Sequence, residues 1–339
     1  MGLLILLALG LLLAWASMVL YTAWVLIHPA RRTYGFAVAR NLPGDPSELL
    51  VGDPPTRGLA FASWTFRSRS RDLPVWDVQG LSPSGPTIIL THGWGDSRVM
   101  MLSRLAGLAP LAARLILWDL PAHGDSPPGG FTLRAREHED LIALIDTLTT
   151  DGATDRAAER SVPGASRLIL YGASLGAGVS IVAAAARAAR PRPALASPIA
   201  AVIAEAPYRI PRVPARNVLR VRGLPYRATL RPAMALLGLR FGYGLSWALS
   251  PTAGGFDTAL HAARLPASVP LLVLHGSLDP ISPPEDAQAI VAAAPKSTLA
   301  MIDGAGHNNL WTDPAFAAQC SAAVRSLLTR ATNVAAPPS

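Results

Sequence analysis

Residues 172–176 read Gly-Ala-Ser-Leu-Gly and stand between two apolar segments. The segment before them, Arg167-Leu-Ile-Leu-Tyr171, is typical of a buried β-strand, and the alanine-rich segment after them, 178–186, is typical of a buried helix. A G-x-S-x-G sequence between a strand and a helix forms a sharp turn, the nucleophile elbow, and its glycines let the two elements approach closely. The pattern predicts that Ser174 is a nucleophile exposed at the carboxyl end of a strand. A glycine-rich turn with a purely structural role is the alternative.

Strand-like and helix-like segments alternate from residue 86 onward, with one interruption at 207–262. Such alternation predicts an α/β fold with a mostly parallel sheet and helices on both faces, in which ligands bind at the carboxyl ends of the strands. The expected strands are 61–68, 73–80, 86–91, 114–118, 167–171, 198–204, 269–275 and 298–302. The expected helices are 99–113, 133–149, 178–186, 284–293 and 314–329, and 151–166 is expected to be a polar loop.

Two residues nearer the C-terminus have the chemistry that a nucleophilic serine needs. A serine hydroxyl requires a base within hydrogen-bond reach, and the base requires a group that orients it. Asp279 follows the strand 269–275 and His307 follows the strand 298–302, so the chain order is Ser, Asp, His, one of the known orders for such a triad. An Asp before Pro is, by itself, most often a turn former. Together the three residues predict a Ser-His-Asp triad, with Glu205, which ends another expected strand, as the alternative acid.

Two backbone N–H groups are candidates for an oxyanion hole. The tetrahedral intermediates of acyl transfer carry a negative oxygen, which is stabilised by N–H donors that are fixed in advance. The first candidate is Leu175, directly after the serine. The second is Trp94, within His92-Gly-Trp-Gly95 after the strand 86–91, where the glycines free the backbone to turn.

The remaining histidines predict no metal site. His92, His123 and His275 each neighbour a glycine at a tight strand exit and are expected to be structural. His138 lies among acidic residues, but adjacent residues on a helix point in different directions, so this segment is expected to be a solvated face. These acidic neighbours are Glu137, Glu139 and Asp140. No nucleotide-phosphate motif occurs either, so we expect no cofactor.

The N-terminal segment predicts a membrane anchor. Leu3–Ile27 contains no charged residue, and about 20 apolar residues suffice to span a bilayer. A cleaved signal peptide is the alternative, because Ala14-Trp15-Ala16 resembles a cleavage site. No Lys or Arg precedes the apolar run, and the run continues past that site, which favours the anchor. Arg31, Arg32 and Arg40 follow it, and the positive-inside rule then predicts that the rest of the chain is cytoplasmic.

Charge and cysteine content set further limits. The chain has 339 residues, a formal net charge of +8 and one cysteine, Cys320, so no internal disulfide can form. No Asp or Glu occurs between Ala206 and Phe256, a stretch that holds eight arginines. The overlapping insertion 207–262 is expected to be a lid, either a packed cap with a basic solvated surface or a cap that lies against anionic lipid. No nucleic-acid-binding motif accompanies the charge, so nucleic acid is not an expected partner.

Five segments together resemble the ordered motifs of the α/β-hydrolase superfamily. They are His92-Gly-Trp-Gly95, Asp119-Leu-Pro-Ala-His-Gly-Asp-Ser126, Gly172-Ala-Ser-Leu-Gly176, His275-Gly-Ser-Leu-Asp279 and Gly304-Ala-Gly-His307. The resemblance covers residues 60–330 and is nearest to membrane-anchored serine hydrolases of the monoacylglycerol-lipase-like and serine-aminopeptidase-like branches. It implies the α/β-hydrolase fold and the hydrolysis of an ester, thioester or amide. The chain departs from the family pattern at Pro121-Ala122, where an Arg often stands, and over the insertion.

The resulting division of the chain is a transmembrane anchor at 3–27, a juxtamembrane linker at 28–57, an α/β-hydrolase domain at 58–331 with the lid at 207–262, and a loose tail at 332–339. The leading hypothesis is a membrane-anchored serine hydrolase of lipid-like or other hydrophobic acyl esters, with a small acyl substrate and membrane lipid as its partners. A serine peptidase or amidase, and a catalytically idle binding module with the same fold, are the alternatives.

Overall fold

The computed structural model describes residues 1–52, 56–149, 168–189, 199–245 and 256–333. The polar loop expected at 151–166, part of the expected lid and most of the expected tail lie outside these residues. Within them the strands are β1 (Leu50–Val51), β2 (Thr56–Arg57), β3 (Phe61–Ser68), β4 (Arg71–Gln79), β5 (Thr87–Thr91), β6 (Arg114–Trp118), β7 (Leu168–Ala173), β8 (Ile199–Glu205), β9 (Leu271–Gly276) and β10 (Ser297–Ile302). The α-helices are α1 (Gly2–Ile27), α2 (Tyr34–Val38), α3 (Leu102–Leu108), α4 (Glu137–Thr149), α5 (Leu175–Ala188), α6 (Arg212–Val221), α7 (Tyr226–Arg240), α8 (Thr258–Ala262), α9 (Pro284–Ala293) and α10 (Pro314–Asn333).

Eight of the strands form one sheet, in the order β10-β9-β8-β7-β5-β6-β4-β3, while β1 and β2 pair as a separate two-stranded sheet. β3 pairs antiparallel with β4, and β4 pairs antiparallel with β6. All other neighbours in the sheet are parallel. The expected α/β-hydrolase fold, a mostly parallel sheet covered by helices, is confirmed.

The parallel strands are covered on both faces. All five residues of β5 are buried. Ile89 belongs to one hydrophobic core, while Ile88 and Leu90 belong to the other, because successive side chains of a strand point to opposite faces. Helices α4, α5 and α9 pack in the core that contains Ile89, and α3 and α10 pack in the opposite core. The continuous apolar runs in the sequence are therefore the strands that helices cover from both sides.

Two helices differ from their expected bounds for local reasons. The helix expected over 133–149 begins at Glu137, because Leu133 and Arg134 have left-handed backbone angles, φ 55° and 81°, which an α-helix does not allow. The helix expected over 99–113 is the shorter α3, followed by a 3-10 turn at Ala109–Leu111. This turn contains a proline, which has no N–H to donate to a continuing helix.

The N-terminal helix packs against the segment between β8 and β9. That segment contributes α6, α7 and α8, and α1 lies on α7. The Thr22 hydroxyl donates to the hydroxyl of Thr229 over 3.0 Å. Buried residues of α1 recur every three or four positions, as on one face of a helix; they include Val19, Thr22, Ala23 and Leu26. The helix is exposed up to Trp15, and it is long and apolar enough to cross a membrane.

The chain after α1 is fixed to loops at the carboxyl edge of the sheet. The guanidinium of Arg31 donates to the carbonyl of Gly124 over 2.9 Å and to the carbonyl of Ser126. The hydroxyl of Ser97 donates to the carbonyl of Arg32. Because these loops follow β5 and β6, the end of the N-terminal helix meets the edge of the sheet at which α/β folds bind ligands.

Gly176 gives a prediction for stability. A Cβ at this position would lie 2.1 Å from the carbonyl oxygen of Thr91 and 2.6 Å from that of His92, and both are backbone atoms. We expect Gly176→Ala to lower the free energy of unfolding by about 3 kcal/mol or more, because neither backbone can move aside without loss of packing. Chemical denaturation in detergent measures the change. Gly35→Ala is the control, since its Cβ would have no neighbour closer than 4.0 Å; equal stability of the two variants would contradict the close packing of α5 on β5.

Candidate active site

Ser174 lies in the tight turn between β7 and α5. Its backbone has φ 52° and ψ −109°, a conformation that strains a residue with a side chain by about 1–3 kcal/mol. The Ser174 N–H donates to the carbonyl of Glu205 over 2.7 Å and so holds the turn against β8. A Cβ at Gly172 would lie 2.1 Å from the carbonyl oxygen of Gly176, so the turn needs glycine there. The serine lines a cavity at this edge of the sheet.

The three residues predicted as a triad lie together. His307 Nε2 is 3.1 Å from Ser174 Oγ, and His307 Nδ1 is 2.7 Å from Asp279 Oδ2. The other carboxylate oxygen of Asp279 accepts the N–H groups of Ile281 and Ser282, over 2.8 and 2.9 Å. The carboxylate is thus held toward Nδ1, which favours the imidazole tautomer whose Nε2 can accept a proton from the serine hydroxyl.

The parallel strands explain how residues far apart in the chain come together. Ser174 follows β7, Asp279 follows β9 and His307 follows β10, and parallel strands end at the same edge of a sheet. The last two loops are packed closely, because a Cβ at Gly276 would lie 2.3 Å from the carbonyl oxygen of Ala305.

The residues predicted for the oxyanion hole line the same cavity. Leu175 is the first residue of α5, and the first N–H groups of a helix have no acceptor within it and form the positive end of its dipole. Trp94 follows Gly93, which passes close to the elbow: a Cβ at Gly93 would lie 3.3 Å from the carbonyl oxygen of Ala173. Both candidate donors therefore stand beside Ser174.

The sequence profile of the alpha/beta hydrolase family matches residues 88–319. The chain belongs to this family. The match begins within β5, covers every later strand of the sheet and includes all three residues of the hydrogen-bonded Ser-His-Asp group. A comparison with curated proteins gave no match.

Several solved structures have the same fold as this α/β hydrolase. The esterase Pf2001 of Pyrococcus furiosus is 19% identical, with a TM-score of 0.57 over 81% of this chain and 91% of the esterase. DcsB, solved in complex with its substrate analogue, is 17% identical, with a TM-score of 0.57 over 82% and 100% of the two chains. Est1E of Butyrivibrio proteoclasticus, solved with ferulic acid, is 15% identical, with a TM-score of 0.55 over 79% and 99%. At these identities the likeness shows the fold.

Glu205 of this α/β hydrolase has other partners than the histidine. Its carboxylate oxygens accept hydrogen bonds from Nε and Nη2 of Arg104, over 3.1 and 2.6 Å. The hydroxyl of Tyr171 donates a hydrogen bond to the same carboxylate. All three side chains are buried. Burial, together with the charge of Glu205, raises the pKa of Tyr171 well above its ordinary value. The Glu205 side chain is engaged in this network, while His307 hydrogen-bonds to Asp279.

The other buried histidines have a structural environment, as expected. His92, His123 and His275 are fully buried, and each ring hydrogen-bonds to a backbone group. In His123 the bond joins Nδ1 to the carbonyl of Pro121 over 2.9 Å. Burial lowers the pKa of all three rings, that of His123 to about 4, so they are neutral at pH 7.

One expectation for this region is wrong: the acidic segment around His138 is not a solvated face. Glu137 and Asp140 have 0% and 1% exposure. Asp140 forms an ion pair with Arg69, and Glu137 accepts the N–H of Thr132 over 2.7 Å. The first turn of α4 therefore packs on polar partners outside the helix, which the spacing of its own residues does not reveal.

In the part of the chain that the structure describes, no cluster of His, Cys, Asp or Glu is suited to a metal ion.

The cavity, of ≈ 240 Å³, also contains residues that the sequence did not single out. Leu26, Ala30 and Arg32 come from the N-terminal helix and the chain after it, and Arg222 follows α6. The indole N–H of Trp94 donates to the carbonyl of Leu26 over 3.0 Å, so the helix end also holds the loop that carries a candidate oxyanion donor. Two sequence signals included some of these residues without placing them at the site: the arginine-rich, acid-free insertion, which contains Arg222, and the basic residues after the apolar run, which include Arg32.

The buried His123 predicts a pH dependence of stability. Burial lowers its pKa from 6.5 to about 4, so the unfolded chain binds a proton at this ring more readily than the folded protein does. Its contribution to stability is therefore complete above pH 6.5 and is lost as the pH falls through 6.5 toward 4. Between pH 7 and pH 5 we expect the free energy of unfolding to fall by roughly 2 kcal/mol because of this group.

Two variants isolate that contribution in denaturation measurements at several pH values. His123→Asn should remove this part of the slope, whatever its effect on stability at pH 7. His28→Asn, at an exposed histidine, should retain the wild-type slope. A wild-type slope in His123→Asn would contradict a neutral buried ring.

Proposed function

We propose that this protein is a membrane-anchored serine hydrolase that cleaves an acyl ester with a lipid-like or otherwise hydrophobic acyl group. The observation that carries the proposal is the hydrogen-bonded chain from Asp279 through His307 to Ser174, with 2.7 and 3.1 Å between bonded atoms, beside a cavity. Backbone strain persists where the surrounding structure enforces it and is concentrated at functional sites. A strained serine beside an oriented base serves catalysis, whereas a binding module has no need of either.

The proposed reaction has two halves. Ser174 Oγ attacks the acyl carbonyl carbon, and its proton passes to His307 Nε2, while Asp279 stabilises the imidazolium. The carbonyl oxygen becomes an oxyanion that accepts hydrogen bonds from the N–H groups of Leu175 and Trp94, each of which contributes about 3 kcal/mol. His307 then protonates the alcohol oxygen as the C–O bond breaks and an acyl-enzyme remains. Water attacks the acyl-enzyme by the same route, which releases the acid and returns the proton to the serine.

The walls of the cavity support a hydrophobic acyl group. Leu26, Leu133, Val218 and Ile281 line it together with Ser174. These side chains come from the N-terminal helix, the loop before α4, the insertion and the loop after β9. A pocket of this kind selects its ligand by burying apolar surface, with a few polar groups near the reacting atoms.

The N-terminal helix supports a location at the membrane. Its 26 residues span roughly 39 Å, compared with about 30 Å for the hydrocarbon core of a bilayer. Near its end the rings of Tyr21, Trp24 and His28 stack, with 6.1 and 4.8 Å between centroids, and Trp and Tyr are enriched at membrane interfaces. Leu26 would then lie at the level of the interface. The basic residues that support a cytoplasmic catalytic domain are Arg31, Arg32 and Arg40.

An ester is favoured over a peptide with a free N-terminus. An aminopeptidase needs a free carboxylate for the α-ammonium group of its substrate. Of the carboxylates that line the cavity, that of Glu205 pairs with Arg104 at 2.6 Å, and that of Asp96 has the guanidinium of Arg32 3.4 Å away, a cation that would repel an α-ammonium group. The esterase Pf2001, which shares the fold, is in line with an ester substrate.

A fluorophosphonate probe tests the proposed nucleophile. We expect it to label the wild-type protein and not Ser174→Ala, because the probe reacts with an activated serine. Asp279→Asn should lower kcat for a short ester by roughly 10⁴-fold, since the histidine would take the wrong tautomer. Asp303→Asn removes an exposed carboxylate from a nearby loop and should retain wild-type activity. Equal labelling of wild type and Ser174→Ala would refute the mechanism.

Leu26 tests where the acyl group binds. Leu26→Trp narrows the cavity and should lower kcat/KM for a dodecanoate ester, relative to a butyrate ester, by about tenfold or more. Leu20→Trp makes the same replacement at an exposed position of the same helix and should leave that ratio unchanged. Hydrolysis of p-nitrophenyl esters in neutral detergent provides the measurement. If both variants keep the wild-type ratio, the acyl group does not bind at the end of the N-terminal helix.

A further inference from the structure

The charged groups of the cavity do not balance. Three arginines line it, Arg32, Arg104 and Arg222, but only two carboxylates, those of Asp96 and Glu205. Arg104 and Glu205 are buried and joined by two hydrogen bonds of 3.1 and 2.6 Å, so they neutralise one another. The guanidinium groups of Arg32 and Arg222 and the carboxyl group of Asp96 remain.

The guanidinium of Arg32 is only weakly paired and is available to an anionic ligand. Its one contact with Asp96 is 3.4 Å long, beyond the usual range for a charge-assisted hydrogen bond. Burial raises the pKa of Asp96, so this carboxylate takes up a proton more readily than an exposed one does. The Arg32 side chain is also 39% exposed, so an anion in the cavity can reach it.

Arg222 is held in place without an acidic partner. Its guanidinium lies over the indole of Trp94, 5.1 Å from the ring centroid, and the indole is itself fixed by its bond to the Leu26 carbonyl. Stacking on an aromatic face orients the guanidinium and leaves its N–H groups for an anion. Within the described part of the chain no carboxylate pairs with Arg222, and no Asp or Glu occurs in the sequence between Ala206 and Phe256.

We propose that the cavity takes an acyl ester that carries a phosphate or carboxylate group near the scissile bond, and that Arg222, with Arg32 beside it, binds this anionic group. The inference deepens the proposed function and rests on it. Trp94, on which Arg222 lies, is also the proposed oxyanion donor, so the anion site adjoins the reacting carbonyl. A membrane lipid with an anionic headgroup has this chemistry, and so has a water-soluble acyl phosphate ester of glycerol.

A diffuse basic surface is the competing explanation, and Arg220 distinguishes the two. Arg220 lies in the last turn of α6, two residues before Arg222, and is exposed. It does not line the cavity. Arg220→Gln and Arg222→Gln therefore remove the same charge from neighbouring positions, one outside the proposed site and one within it.

The test measures inhibition of the full-length protein in neutral detergent, with p-nitrophenyl butyrate as the reporter substrate. Three inhibitors are compared: 1-dodecylglycerol, 1-dodecylglycerol 3-phosphate and glycerol 3-phosphate. The ether bond in the first two cannot be hydrolysed, so the assay reports binding. We expect the phosphorylated ether lipid to have an inhibition constant about tenfold or more below that of the neutral one. Arg222→Gln should abolish this preference, and Arg220→Gln should retain it.

Each outcome decides one point. If glycerol 3-phosphate inhibits as well as the ether lipid phosphate, the anionic substrate is water-soluble. If only the lipid phosphate inhibits, the substrate is a membrane lipid. Both results support the anion site. No preference in the wild-type protein, or an equal loss of preference in the two variants, would overturn it. If the wild-type protein does not hydrolyse the reporter, the proposed function itself fails, and the inference fails with it.

Discussion

The close approach of α5 to the end of β5 is the constraint on which the rest of the site depends. Gly176 passes so near to Thr91 that a Cβ would lie 2.1 Å from its carbonyl oxygen, and Ser174 turns the chain at a φ of 52°. The strain is offset by the bond from the Ser174 N–H to the carbonyl of Glu205, whose side chain is anchored by Arg104. The serine therefore has a fixed position relative to the two loops that follow β9 and β10.

The N-terminal helix extends this site beyond the sheet. Its last turn contributes Leu26 to the cavity, and the carbonyl of the same residue orients the Trp94 indole. In turn, the indole supports Arg222. If the helix anchors the protein as proposed, the membrane-bound element is also a wall of the substrate cavity, so removal of the anchor would change the site as well as the location of the protein.

The features that could be predicted from the sequence are those that depend on residues adjacent in the chain. The strand-forming runs, the elbow and the polar residues that follow β9 and β10 each belong to one short segment, so the sheet and the candidate catalytic residues could be identified without a structure. Contacts between distant segments could not. The members of the pairs Thr22–Thr229 and Leu26–Trp94 are separated by 207 and 68 residues, and no motif links one member to the other. The burial of Glu137 likewise depends on partners outside its helix.

The central claim is that Ser174 forms a covalent acyl intermediate. The most direct measurement is mass spectrometry of the protein, quenched in acid within milliseconds of mixing with p-nitrophenyl butyrate, followed by digestion and sequencing of the modified peptide. The account predicts one butyryl group per molecule, attached to Ser174, that disappears as the substrate is consumed and never forms in Ser174→Ala. Rapid release of nitrophenol without an acyl group on Ser174, or with the acyl group on another residue, would contradict it.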